Sequence, residues 1–127
     1  MEREVEEKID KILRHTLIKM GIRCDLLGFD YLCCAVKLVI EKPELIHNLC
    51  NGLYVMVGKK CDIAKNGCVE RSIRHLIENT YISHGFTSLN KMFNSNIYTV
   101  HDKPTAGELI NLLAEYYNLG LYETSGF

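Results

Sequence analysis

The chain has 127 residues, 47% apolar and 24% charged, with a formal net charge of −1. This is the composition of one soluble globular domain with enough chain to bury a real core. The near-zero charge excludes a nucleic-acid contact spread over the whole surface, so any such footprint must be local.

The first element is a helix over residues 3–20, in which Val5, Ile9, Ile12, Leu13, Thr16 and Met20 keep a helical period and Gly21 supplies a stop. Its acids cluster in the first turns, where the helix dipole favours them. Gly28 opens a second helix over 29–41 that is apolar almost all round, and Lys42-Pro43 breaks it. The apolar run at 31–40 is too short to cross a membrane and contains Lys37. A third helix is expected over 43–54, carrying Leu45, Ile46, Leu49, Cys50 and Leu53.

Then come a short helix at 55–61 with Lys59 and Lys60, a polar turn at 62–67, and a longer helix at 66–83. That is the order of a helix-turn-helix, spanning about 55–83. In the longer helix Val69, Ile73, Leu76, Ile77 and Tyr81 form an apolar stripe. Glu70, Arg71, Arg74, His75 and Glu78 occupy the other side. Two Arg, a His and a Glu can fork onto base edges or phosphates. The same charges also form Glu70–Arg74 and Arg74–Glu78 pairs four residues apart, as a solvated helix face would. From Lys59 to His75 there are five basic residues (Lys59, Lys60, Lys65, Arg71, Arg74) against Asp62 and Glu70, a local net of +3.

Ser83-His84-Gly85 ends that helix, a short helix or turn follows at 87–93, and 94–103 reads as loop with an extended stretch at 97–100. Pro104, then Thr105 with Glu108 three residues on, form a capping box that starts the last long helix. Gly120 stops it, leaving 121–127 as a loose tail. The fold class is all-α, a compact bundle of five to six helices in a single domain over 1–127.

The six cysteines (24, 33, 34, 50, 61 and 68) follow no signal-peptide pattern and contain no C-x-x-C pair. They read as reduced, mostly buried thiols of a cytoplasmic protein, without a structural metal or cofactor. Cys61 and Cys68 flank the turn and either pack under it or form a redox-sensitive pair. No catalytic motif occurs and the five histidines are scattered, so the chain does not read as an enzyme.

The order of these residues resembles the DNA-binding effector domain of the stage-zero sporulation response regulator of endospore-forming Firmicutes. The strongest match is Val69-Glu70-Arg71-Ser72-Ile73-Arg74-His75-Leu76-Ile77-Glu78. Gly28-Phe29-Asp30-Tyr31-Leu32, Leu53-Tyr54, Lys59-Lys60, Tyr98-Thr99-Val100 and Lys103-Pro104-Thr105 with Glu108 support it in family order. The resemblance implies a six-helix fold and a sequence-specific transcription regulator of double-stranded DNA. It also implies action on tandem boxes as a homodimer, contact with an RNA polymerase sigma subunit, and no role at a membrane. It puts Glu70 and Arg71 at base edges and Arg74 and His75 near phosphates or the groove wall, with Lys59, Lys60 and Lys65 completing the DNA-binding set. The family's receiver domain has no counterpart in this chain, and Gly67 and Cys68 stand where the family has a small polar residue and an Arg. The alternative is therefore a divergent paralogue without DNA binding, acting by contact with sigma factor or a full-length regulator.

Overall fold

The computed structural model describes residues 2–61 and 66–124, which form helices and turns with no strand among the described residues. The all-α class holds. In α1 (Arg3–Lys19), Ile9, Leu13 and Leu17 are buried at helical spacing. The helix closes as its sequence requires. Gly21 adopts φ 86°, its N–H donates to the Ile18 carbonyl at 3.0 Å, and the Ile22 N–H donates to the Leu17 carbonyl at 3.0 Å. This is the Schellman pattern, with Ile22 buried beside the helix end.

The centre of the domain is α2 (Leu27–Glu41), which meets α1, α4 and α6 and the elements between them. Phe29, Leu32, Cys33, Ala35, Val36, Leu38 and Val39 are buried, as expected of a helix apolar on every side. Burial pushes the Cys33 thiol up to about 12. Lys37 reaches out of this apolar helix to Asp10 on α1 at 2.9 Å, and Arg14 joins Asp10 and Asp30 at 2.8 Å each. Partial burial alone would raise the Asp10 carboxyl, but the Arg14 and Lys37 bonds outweigh it and hold it below its ordinary value.

The third helix expected over 43–54 does not form as one unit. Pro43–His47 is a 3-10 turn that buries no residue fully, Asn48 breaks the run at φ −144° and ψ 74°, and Leu49–Leu53 is a π turn. The π turn runs directly into α3 (Tyr54–Lys60). The physical reason is the distribution of apolar contact: Leu45 and Ile46 are half-buried, whereas Leu53, Tyr54 and Val57 reach the core. Helix over 43–48 lacks a buried stripe to hold it, and Asn is a residue that leaves helical geometry readily.

Beyond α3 lies α4 (Asn66–Ile82), which ends before His84 at φ 60°. A 3-10 turn at Gly85–Thr87 leads into α5 (Ser88–Phe93), ended by Asn94 at φ 50°. α6 (Ala106–Asn118) starts at Thr105, whose hydroxyl accepts from the Glu108 N–H at 3.2 Å. The Glu108 carboxylate accepts from the Tyr98 hydroxyl at 3.4 Å. The stretch expected to be a loose tail is helical over its first part. α7 (Leu121–Thr124) stacks Tyr122 on Tyr117 with centroids 5.4 Å apart, and the remainder of the tail lies outside the described residues. Aromatic area supplies the anchor that a short, polar-looking end does not advertise. No helix among the described residues is long and apolar enough to cross a membrane.

α2 and α4 approach closely at Gly28. A Cβ built on Gly28 would stand 2.3 Å from the Ser72 carbonyl oxygen and 2.8 Å from its carbon. Only a residue without a side chain allows the two backbones to touch there. Gly28→Ala should therefore lower stability by about 1–3 kcal/mol through overpacking. An unhindered helical Gly→Ala change would instead raise it by about 1 kcal/mol. Urea unfolding gives the sign directly, and a stabilised variant would refute the close contact.

A second expectation concerns acid. Because the folded Asp10 carboxyl sits below its ordinary value, its contribution is present above the unfolded-state pKa of about 3.9 and is lost as pH falls through the folded value. Asp10→Asn should cost about 1 kcal/mol at neutral pH. The deficit should shrink in strong acid, where wild type and variant unfolding midpoints converge.

Candidate nucleic-acid interface

α3 and α4 pack against each other and both pack against α2. They have the order and lengths of the two helices of a helix-turn-helix. Most of the residues expected in the turn, 62–65, lie outside the described residues, and Lys65 among them. In α3, Tyr54, Val57 and Gly58 face inward, while Lys59 and Lys60 are exposed at its C-terminal end, where the dipole favours cations.

In α4 the spacing of the sequence separates two faces. Val69, Ile73, Leu76 and Ile77 are buried, and Tyr81, expected on the same stripe, is only half-buried. Thr80 is also buried, its hydroxyl donating to the Leu76 carbonyl at 2.8 Å so that no polar group is stranded. Glu70, Arg71, Arg74 and His75 are exposed on the opposite face. The fold therefore brings these four expected site residues together on one outward surface, with Lys59 and Lys60 on the preceding helix.

The Glu70–Arg74 pair on this surface is lightly held. Arg74 Nη1 lies 3.7 Å from Glu70 Oε1, with both side chains about half exposed or more, a pair worth roughly 0.3–0.5 kcal/mol. Arg71 Nη2 donates to Cys68 Sγ at 3.6 Å. Glu78 behaves differently from expectation. It pairs with Lys103, from the loop before α6, whose ammonium also lies 5.3 Å from the Tyr81 ring centroid. The i,i+4 ladder along α4 is thus interrupted by a tertiary contact, because Lys103 can reach Glu78 and gain a ring face as well.

That contact depends on how the loop is fixed. The Asn90 amide donates to the Tyr98 carbonyl at 2.6 Å and accepts from the Tyr98 N–H at 2.9 Å, so one side chain satisfies both halves of a backbone unit. Asp102 accepts from the Thr99 N–H at 3.0 Å and from its hydroxyl at 2.9 Å, and these bonds hold its carboxyl below its ordinary value. The stretch at 97–100 is thus a braced loop and turn rather than a strand.

Sequence reading missed the wall opposite α4. Leu27, Gly28 and Tyr31 of α2, with Cys68, Arg71 and His75 of α4, line a cleft of about 650 Å³ along the outward surface. No local pattern marks Leu27 or Tyr31 as neighbours of Arg71, since only helix packing joins them. The cysteines also divide differently from expectation. None of the six is in a disulfide, but only Cys33 and Cys34 are buried, Cys61 and Cys68 are half-buried, and Cys24 and Cys50 are exposed.

A short helix and a longer helix with an outward Arg-bearing face are docked side by side on an all-helical core. The chain belongs to the family described as sporulation initiation factor Spo0A C terminal, whose model matches residues 13–117. This is a family of transcription-factor DNA-binding domains of sporulation initiation. The match takes in α2 through most of α6, and hence every described residue of the interface.

Asn90→Ala should remove both bonds to Tyr98 and cost about 1–3 kcal/mol, the range for leaving buried polar groups unsatisfied. Amide hydrogen exchange should rise across residues 95–103, and an unchanged exchange pattern would show that the loop is braced by something else.

Proposed function

We propose that this domain binds double-stranded DNA in a sequence-specific manner and regulates transcription in sporulation, with α4 in the major groove. The observation that carries the reading is the orientation of α4. Its apolar stripe is buried against α2 and α3, and Arg71, Arg74 and His75 point away from the protein. A major groove about 12 Å wide admits one such helix.

In this reading Arg71 forks onto guanine O6 and N7, and Glu70 accepts from cytosine N4. Arg74 and His75 lie along the phosphates or the groove wall, and Lys59, Lys60 and Lys65 neutralise backbone charge. The local surplus of basic residues, within a chain of net charge −1, confines the contact to this surface. A DNA-binding role places the protein in the cytoplasm. It also makes a sigma subunit of RNA polymerase, and a second copy on a tandem site, the partners to look for.

The test starts with selection of bound sequences from random duplex DNA, which reports binding and the preferred box together. Affinity for that box should fall steeply with salt as counterions are released. Arg71→Ala should relax preference at one base position, a loss of about 1–3 kcal/mol in discrimination. Lys60→Ala should weaken all duplexes alike and reduce the salt slope by about 1. If neither change alters affinity for any duplex, the alternative of a relative working through protein contact takes its place.

A further inference from the structure

On the other flank of α4, away from the cleft at Leu27 and Tyr31, lies a cavity of about 460 Å³. Leu49 of the π turn, Ile77 of α4, and Ala106 and Gly107 at the start of α6 supply its apolar wall. Its size falls among small-molecule sites, which run roughly 300–1,000 Å³ and pair such a wall with a few polar groups.

The polar groups here are donors. Tyr54 lines the cavity and is only 3% exposed, yet its hydroxyl has no hydrogen-bond partner among the described residues. Burial pushes that hydroxyl up to about 12, and the charges of Cys50 and Glu70, which line the same cavity, add to the effect. A phenol taken out of water normally finds a partner, and the cavity is the side from which one can come. The first turn of α6, a helix of 13 residues, borders the same space. Its first helical bond is made by the Leu109 N–H, and Thr105 takes the Glu108 N–H. That leaves the Ala106 and Gly107 N–H groups without an acceptor among the described residues, at the end where the dipole favours an anion. The Arg74 guanidinium and the Lys103 ammonium line the cavity as well.

We propose that this cavity is a binding site for a small organic acid, with an apolar body against Leu49 and Ile77 and one carboxylate among Tyr54, Arg74, Lys103 and the first turn of α6. The acids on the rim are already turned to cations, Glu78 to Lys103 and Glu70 to Arg74. The Glu70–Arg74 contact, at 3.7 Å and exposed, yields readily to a better acceptor. Glu70 and Glu78 also limit the charge of the ligand, since a doubly charged phosphate would stand against both. Arg74 is the residue assigned above to the DNA backbone, so an occupied cavity competes with DNA for it. That competition rests on the function proposed above; the binding itself does not.

The test is titration of the isotope-labelled full chain with phenylacetate and with phenylacetamide, which has the same body and no charge, followed by amide NMR. Saturable shifts at Tyr54, Ile77, Ala106 and Gly107 are expected with phenylacetate. The amide should bind at least about tenfold more weakly, the worth of a charged hydrogen bond. Tyr54→Phe keeps the ring in the core and should weaken phenylacetate about 2–10-fold. Should that variant fail to fold, the comparison of acid and amide on the wild type decides alone. No saturable shift at the cavity, equal binding of acid and amide, unchanged affinity in Tyr54→Phe, or tighter binding of phenyl phosphate would overturn the proposal. Saturating phenylacetate should also lower affinity for the selected duplex. Unchanged DNA affinity with the cavity occupied would overturn the competition for Arg74, whereas failure of the ligand-free protein to bind any duplex would count against the function alone.

Discussion

The contact between Gly28 and the Ser72 backbone is the constraint on which the interface depends. It sets the distance between the central helix and the helix that carries Arg71. With α2 already committed to the core on every side, α4 has one way to lie: Val69, Ile73 and Leu76 turned in and the charged face turned out. Interiors packed at crystal-like density do not allow such a helix to roll by a fraction of a turn without opening a void or forcing a clash. A position chosen for close packing in one helix therefore aims side chains in another.

Electrostatics divides α4 into two halves with different duties. The Glu70–Arg74 pair is local, exposed and weak, so a nucleic acid offering phosphates can replace it at small cost. Around Glu78 and Tyr81 the helix is tied to the loop before α6 through Lys103, and that loop is held in turn by Asn90. This arrangement also reconciles a nearly neutral protein with a DNA-binding family, since the acids of α1 lie away from the basic segment in sequence and bond with Arg14, Lys37 and their neighbours.

The helix-forming stretches announced themselves through period and punctuation. The stripe in α1 from Ile9 onward with Gly21 after it, the apolar α2, and the Thr105 cap of α6 each rest on contacts within a few residues and are found in the structure, whereas Val5 is exposed and the Glu108 carboxylate takes the Tyr98 hydroxyl. Residues 43–54 misled because Leu45, Ile46, Leu49 and Leu53 satisfy a helical count. The count says nothing about how deeply each residue is buried: Leu45, Ile46 and Leu49 only pack against the edge of the core, and full burial begins at Leu53. The tail misled in the opposite sense, since Tyr122 is a single aromatic whose anchor, Tyr117, becomes its neighbour only after Gly120 turns the chain.

The sequence by itself determined the all-helical class, the family, and which side of α4 is polar, because periodicity, caps and residue chemistry are properties of short segments. Tertiary structure alone decided that Gly28 sits on Ser72 and that Lys103 answers Glu78. Each of these joins residues with no fixed spacing along the chain, and only the packing of α2 on α4 and the course of the loop before α6 bring them together.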